Sequence, residues 1–273
     1  MSAHPNLDLD RYLERIGWGQ SLRPASDTLA GLWRAHMTRI PFENLDVLLG
    51  RGVRLDLEAL QDKLVVRRRG GYCFEHATLF RAVLERLGFA VKAHSARVTI
   101  ALPRTEMPRT HMFLTVALPE GTFVVDPGFG GLAPIAPVRI AGSEAEPAGS
   151  ASGSHWLVRS DAWRVMRTRT ADKLVDCWAT TLEEDHPVDF TMANHFVSTH
   201  PSSAFVNRMM LQSRSAEGSI SVMNREVTLR RGDVPAVTQL RDRAALRALL
   251  VEHFGFDLPE VGQLRVPAIP EWT

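Results

Sequence analysis

Residues 73–100 read CFEHATLFRAVLERLGFAVKAHSARVTI, and the change of period inside this stretch decides the fold class. In its first half Leu79, Phe80, Val83, Leu84 and Leu87 recur at helical spacing, which predicts an amphipathic helix from about Phe74 to Leu87. Gly88 supplies the stop. From Phe89 the pattern turns to strands. The segments 89–100, 111–118, 122–126, 155–159, 162–169 and 173–179 are short, rich in Val, Thr, Trp and Phe, and divided by turn residues. Upstream the chain reads as helices. Leu9, Tyr12, Leu13 and Ile16 share a face that Gly17 and Gly19 bring to an end. Ser26 is placed to cap a helix carrying Leu29, Leu32, Trp33 and His36, and Asp56 a third with Leu57, Leu60 and Leu64 inward. Downstream both types mix: a helix near 189–198, strands near 205–213 and 219–230, and a helix near 242–254. Gly142–Gly153, rich in Ala, Gly, Ser, Glu and Pro, predicts an exposed mobile loop. The chain is therefore α+β, with a helical bundle over 1–88, an antiparallel sheet or barrel over 89–188, and a mixed α/β lid over 189–273.

The totals bound the function. In 273 residues, 32 basic groups face 31 acidic ones, so nothing favours nucleic acid or a membrane surface as partner. The N-terminal MSAHPNLDLDRYL lacks a basic stretch followed by an apolar run, and nowhere do the apolar residues run long enough to span a bilayer. With two cysteines in unlike contexts, a disulfide framework is excluded and a reducing cytoplasm is the expected address. CxxC and HExxH are both missing, so no metal site is expected, and neither nucleotide-binding glycine signature occurs.

Chemistry points first to Arg69-Gly70-Gly71-Tyr72-Cys73-Phe74-Glu75. Two glycines permit an unusual backbone path just before the amphipathic helix, which places Cys73 at the helix N-terminus. Unpaired amide N–H groups and the macrodipole there favour a thiolate. The competing reading is a buried cysteine that fills space, which is the better account of Cys177 inside KLVDCWAT. A nucleophilic cysteine needs a base, and that base needs an orienting group. His111 opens the strand His111–Val116, and that strand returns through Pro119-Glu120 into Thr122–Asp126. A two-residue turn at Pro119-Glu120 pairs Leu118 with Gly121 and sets Asp126 opposite Phe113. His111 and Asp126 then share a face as diagonal neighbours, about 7–8 Å apart along the backbone. A slip of one residue would separate them. After Asp126, the run Pro127-Gly128-Phe129-Gly130-Gly131 is either an ordinary turn or a cradle of N–H groups for a phosphate.

Together these residues resemble the arylamine N-acetyltransferase family. The match rests on RGGYCFE, the His111 strand preceded by Thr110, and VDPGFGG. His111 follows Cys73 by 38 residues and Asp126 follows His111 by 15. Ile40-Pro41-Phe42-Glu43-Asn44-Leu45, Asn194-His195-Phe196 and Pro201-Ser202-Ser203-Ala204-Phe205 extend the match over essentially the whole chain. Ala77 departs from it, standing where many members carry asparagine. The resemblance implies a helical bundle, β-barrel and α/β lid around a cysteine-protease-like core. It implies a triad of Cys73, His111 and Asp126, and an acetyl-CoA co-substrate on the side of Thr110 and Gly128, Phe129, Gly130 and Gly131, with Phe205 near it. The acceptor, a small aromatic amine or hydrazine, would lie against Phe42, Val98 and Phe129. Arg69 would pair with Glu43. The implied reaction is ping-pong transfer of acetyl through acetyl-Cys73, without a metal. The alternatives are an amide synthase of the same family, a cysteine hydrolase or transglutaminase-like enzyme, and a CoA-binding protein without turnover.

Overall fold

A computed structural model describes residues 4–140, 150–171, 173–231 and 234–272. Of the loop expected over Gly142–Gly153, residues 142–149 lie outside the described residues. Helix α1 (Leu9–Ile16) starts at Asp8, whose carboxylate accepts from Arg11 N, and ends at left-handed Gly17. Helix α2 (Ser26–Arg39) begins one residue earlier than the capping reading of Ser26, because Ala25 holds the extended cap position. Strand β1 (Phe42–Glu43) and the single turn α3 (Leu45–Leu48) follow. Asp56 caps α4 (Leu57–Leu60) through Ala59 N, and that helix runs on as a π-helical turn over Gln61–Val66. Helix α5 (Cys73–Arg86) buries Phe74, Leu79, Phe80, Val83 and Leu84, and left-handed Gly88 turns the chain out of it.

The strands then form one antiparallel seven-stranded sheet. Its members are β2 (Ala90–Val98), β3 (Arg109–Leu118), β4 (Gly121–Val125), β5 (Val138–Arg139), β6 (His155–Ser160), β7 (Trp163–Arg169) and β8 (Leu174–Thr180). The order β5-β4-β3-β2-β8-β7-β6 curls until its two edges approach each other, leaving a barrel that is nearly closed. Bulges at Ala96/Arg97 and Met166/Arg167 supply local bending. The interior packs around Phe113, Met166, Cys177 and Trp178, with Phe113 and Trp178 stacked at 4.4 Å.

Beyond the barrel come α6 (Pro187–Thr199), α7 (Ala204–Asn207), β9 (Met210–Ser215), β10 (Gly218–Met223), β11 (Glu226–Arg230), β12 (Pro235–Gln239) and α8 (Arg243–Leu249). The segment read as one strand over 219–230 is two strands hinged at left-handed Asn224, and the start of 205–213 is helical. A second sheet has the order β1-β9-β10-β11-β12. Its first strand comes from the N-terminal third, and Leu45 and Leu48 join Leu211, Val222, Leu246 and Phe254 in the core beneath it. Phe190 and Val197 of α6 pack instead into the core of the helical bundle. The cleft between barrel, bundle and second sheet is therefore walled by segments far apart in sequence.

Candidate active site

The chain approaching Cys73 is held by backbone contact with the Pro41 loop. Gly71 N donates to Pro41 O at 3.2 Å, and Glu43 N donates to Gly71 O at 2.9 Å. A Cβ on Gly70 would stand 2.0 Å from that Pro41 oxygen, so the glycine is required for clearance. The left-handed residue of this turn is Arg68, with φ 55°. Cys73 is the first residue of α5, and Glu75 Oε2 reaches back to accept from Tyr72 N at 3.0 Å. The unpaired N–H groups of the first turn therefore begin at this residue.

A buried charged cluster braces this turn. Arg69 Nη2 meets Glu43 Oε1 at 2.6 Å, as expected, and its Nη1 also meets Asp46 Oδ1 at 2.6 Å. Lys63 Nζ adds contacts to Glu75 at 2.7 Å and Asp46 at 2.9 Å. Burial opposes the charge on Lys63 and Arg69, and the surrounding carboxylates outweigh it, so both stay above their ordinary pKa values. Burial pushes Glu75 up to about 7 against the pull of Lys63.

His111 and Asp126 meet as the hairpin register requires. Leu118 pairs with Gly121 and Leu114 with Val125, which carries Asp126 to the position opposite Phe113. His111 Nε2 donates to Asp126 Oδ2 at 2.8 Å, and neither group is open to solvent. Nε2 being committed, Nδ1 is the nitrogen left for the sulfur. Burial alone would lower the imidazole pKa, but the Asp126 carboxylate and then the Cys73 side chain reverse this and raise it to about 10. His111 is thereby kept as the imidazolium at neutral pH.

Cys73 and His111 open onto a cleft of about 650 Å³. Thr110, Gly128, Phe129, Gly130, Gly131, Phe205, Phe42 and Val98 all line it. Asp126 stands behind His111, outside the lining. Gly128 has a structural duty as well: a Cβ there would come within 2.5 Å of Cys73 Cα. Its N–H points at Asp126 Oδ1, at 3.3 Å, and so is not free for a phosphate. Arg214 Nη2 fixes the rest of the glycine turn by donating to Gly131 O at 2.9 Å.

A family profile described as N-acetyltransferase matches residues 26–262. The arylamine N-acetyltransferase of Mycobacterium tuberculosis is 35% identical over 262 residues, which cover 94% of this chain and 92% of that protein. The Escherichia coli arylamine N-acetyltransferase is 33% identical, over 92% of this chain and 90% of its own. This chain belongs to the arylamine N-acetyltransferase family. Its fold agrees: the solved structure of Mycobacterium marinum arylamine N-acetyltransferase in complex with CoA superposes with a TM-score of 0.85, at 34% identity, covering 94% of this chain and 97% of that one.

Three features of this acetyltransferase escaped the sequence reading. Trp178, from β8, donates its indole N–H to Asp126 Oδ2 at 3.0 Å, so the carboxylate receives three donors. A buried indole N–H usually finds an acceptor, though those of Trp18, Trp33 and Trp272 have none among the described residues, and nothing local says that the acceptor of Trp178 lies 52 residues upstream. Lys63 and Asp46 were not foreseen in the charged cluster. The third is a hydrogen-bonded chain inside the bundle: Tyr12 OH to His36 Nδ1 at 2.8 Å, His36 Nε2 to His76 Nδ1 at 2.8 Å, and His76 Nε2 to Pro41 O at 3.1 Å. A carbonyl can only accept, so His76 donates from Nε2, His36 donates to His76, and Tyr12 donates to His36. Burial lowers the pKa of both histidines, which are neutral. Cys177, by contrast, behaves as expected: it is buried, and burial pushes its thiol up to about 12. Among the described residues no cluster of His, Cys, Asp or Glu is arranged to hold a metal, and no helix is long and apolar enough to cross a membrane.

Proposed function

We propose that this acyltransferase acetylates small aromatic amines and hydrazines from acetyl-CoA by a ping-pong route through acetyl-Cys73. The observation that carries the proposal is the convergence of Cys73 and His111 on one cleft, with Asp126 directly behind the imidazole. The Cys73 thiolate, paired with the His111 imidazolium, attacks the thioester carbonyl of acetyl-CoA, forming a new thioester and releasing the CoA thiolate, which takes the proton from His111. One thioester replaces another, so the step is nearly neutral in energy. An aromatic amine then attacks acetyl-Cys73, His111 accepts the amine proton, and the thiolate leaves. Asp126 orients the imidazole and favours its charged form. The N–H groups at the start of α5, Phe74 among them, face the developing oxyanion.

Acetyl-CoA enters along Thr110 and the glycine turn Gly128–Gly131, with Phe205 beside it; a solved relative holds CoA. The acceptor rests against Phe42, Val98 and Phe129. In this reading residues 1–88 and 89–188 form a cysteine-protease-like core, residues 189–273 act as a lid, and the enzyme works in the cytoplasm. The test is mass spectrometry after exposure to acetyl-CoA alone, followed by addition of an amine. An acetyl group on Cys73 that passes to the amine is expected. Unmodified Cys73, with N-acetyl product nonetheless formed, would refute the covalent route.

A further inference from the structure

The second sheet turns one face of β9 and β10 toward the cleft, presenting Met210, Gln212, Ser221 and Met223. The alternate residues Leu211 and Val222 also border the cleft, but each is 2% exposed and belongs to the core behind it. Cross-strand register sets Phe42, Gln212 and Ser221 in a single row. Phe42 is apolar; the other two are not. Gln212 is only 8% exposed, yet among the described residues neither its carboxamide nor the Ser221 hydroxyl has a hydrogen-bond partner, and both border the cleft. Neither carboxamide atom is sealed off from the cleft, so donor and acceptor are both available to a ligand there. The glycine turn opposite keeps its approach open: a Cβ on Gly131 would stand 3.0 Å from Gln212 Oε1.

We infer that Gln212, with Ser221 beside it, is a specificity-determining residue that recognises a neutral amide on a bound ligand; the inference rests on the acyl-transfer reading above. Its carboxamide offers a donor and an acceptor together, which is the complement of another amide. A carboxylate is a poorer match, because the cleft lining holds no lysine or arginine among the described residues and the neighbouring Arg214 is engaged by the Gly131 carbonyl. Two ligands could bring such a group: an acceptor with a carboxamide on its ring, or the pantetheine arm of the donor, which contains amides.

The experiment compares the purified full-length enzyme with Gln212→Met, which keeps the side-chain length, and with Gly131→Ala, which pushes the carboxamide aside without altering it. One neutral hydrogen bond predicts a change of about 3- to 10-fold. With para-nitrophenyl acetate as a donor lacking amides, a fall of that size in the kcat/KM ratio of para-aminobenzamide to para-toluidine assigns Gln212 to the acceptor. With para-toluidine as acceptor, the same fall in Gln212→Met in the ratio of acetyl-CoA to para-nitrophenyl acetate assigns it to the pantetheine arm; Gly131→Ala is not read for this assignment, because Gly131 itself borders the proposed CoA path. Ratios that stay at the parent's values in both variants overturn the inference. A parent enzyme that acetylates none of the amines sinks the acyl-transfer reading itself, a result that flat ratios would not resemble.

Discussion

Asp126→Asn is expected to silence Cys73. The carboxylate receives three donors: His111 Nε2 and Trp178 Nε1 on Oδ2, and Gly128 N on Oδ1. An amide has one oxygen, so either Gly128 N–H or the pair from His111 and Trp178 must face an NH2 group. The larger loss is electrostatic. His111 stands at about 10 instead of its ordinary 6.5, and burial works against that charge. The gap is worth up to about 5 kcal/mol, or roughly 10³- to 10⁴-fold in the ratio of imidazolium to imidazole. Without the carboxylate, only the Cys73 side chain still opposes burial, and the imidazolium loses its main support. Iodoacetamide labelling of Cys73 at pH 7 is expected to slow by up to about 10³-fold. Stability follows the same linkage. In the parent the raised imidazolium contributes fully below pH 6.5, and that contribution is lost as pH climbs through about 10. The variant should lack this slope in its melting temperature. Labelling at the parent's rate, with an unchanged pH profile, would refute the reasoning.

Trp178→Phe keeps an aromatic ring against Phe113 and removes the indole N–H together with part of the buried ring. One hydrogen bond to a buried charge is worth about 1.5–3 kcal/mol, so kcat/KM is expected to fall about 10- to 100-fold, read in a standard amine acetylation assay. Arg69→Met leaves the buried Glu43 with no cation nearer than Lys63 at 3.8 Å, while Asp46 keeps Lys63 at 2.9 Å, and should cost about 3–5 kcal/mol in urea unfolding. Iodoacetamide at pH 7 should place a single label on the native protein, because the Cys177 thiol is buried and pushed up to about 12. Peptide mapping that finds label on Cys177 would contradict its assignment to the barrel core.

Much of the site was legible because its parts are local. A helix with its period of apolar residues and a stopping glycine placed Cys73 at an N-terminus. A turn of two residues, Pro119-Glu120, then fixed the faces of His111 and Asp126. The illegible parts depend on pairings between distant segments. Strand β1 is two residues long and carries no period; it exists because Phe42 and Glu43 pair with β9. The contact of Trp178 with Asp126 follows from β8 pairing with β2 across a bulged barrel, a register no local pattern encodes. Ser26 failed as a cap for a smaller reason: Ala25 already holds the extended conformation, and Asp27 supplies the nearby acceptor through its bond to Thr28 N.

The Tyr12–His36–His76 chain has all its donors pointing the same way, toward the Pro41 carbonyl that also receives Gly71 N. A second proton on His76 would set its N–H head to head with that of His36, whereas the Tyr12 hydroxyl can turn to accept from a protonated His36. The helical bundle is thus latched to the nucleophile's turn by uncharged groups, a joint that added salt leaves intact. On the turn's other flank, Arg69 and Lys63 do the same work with ions. The cysteine is anchored twice, once by neutral hydrogen bonds and once by ion pairs.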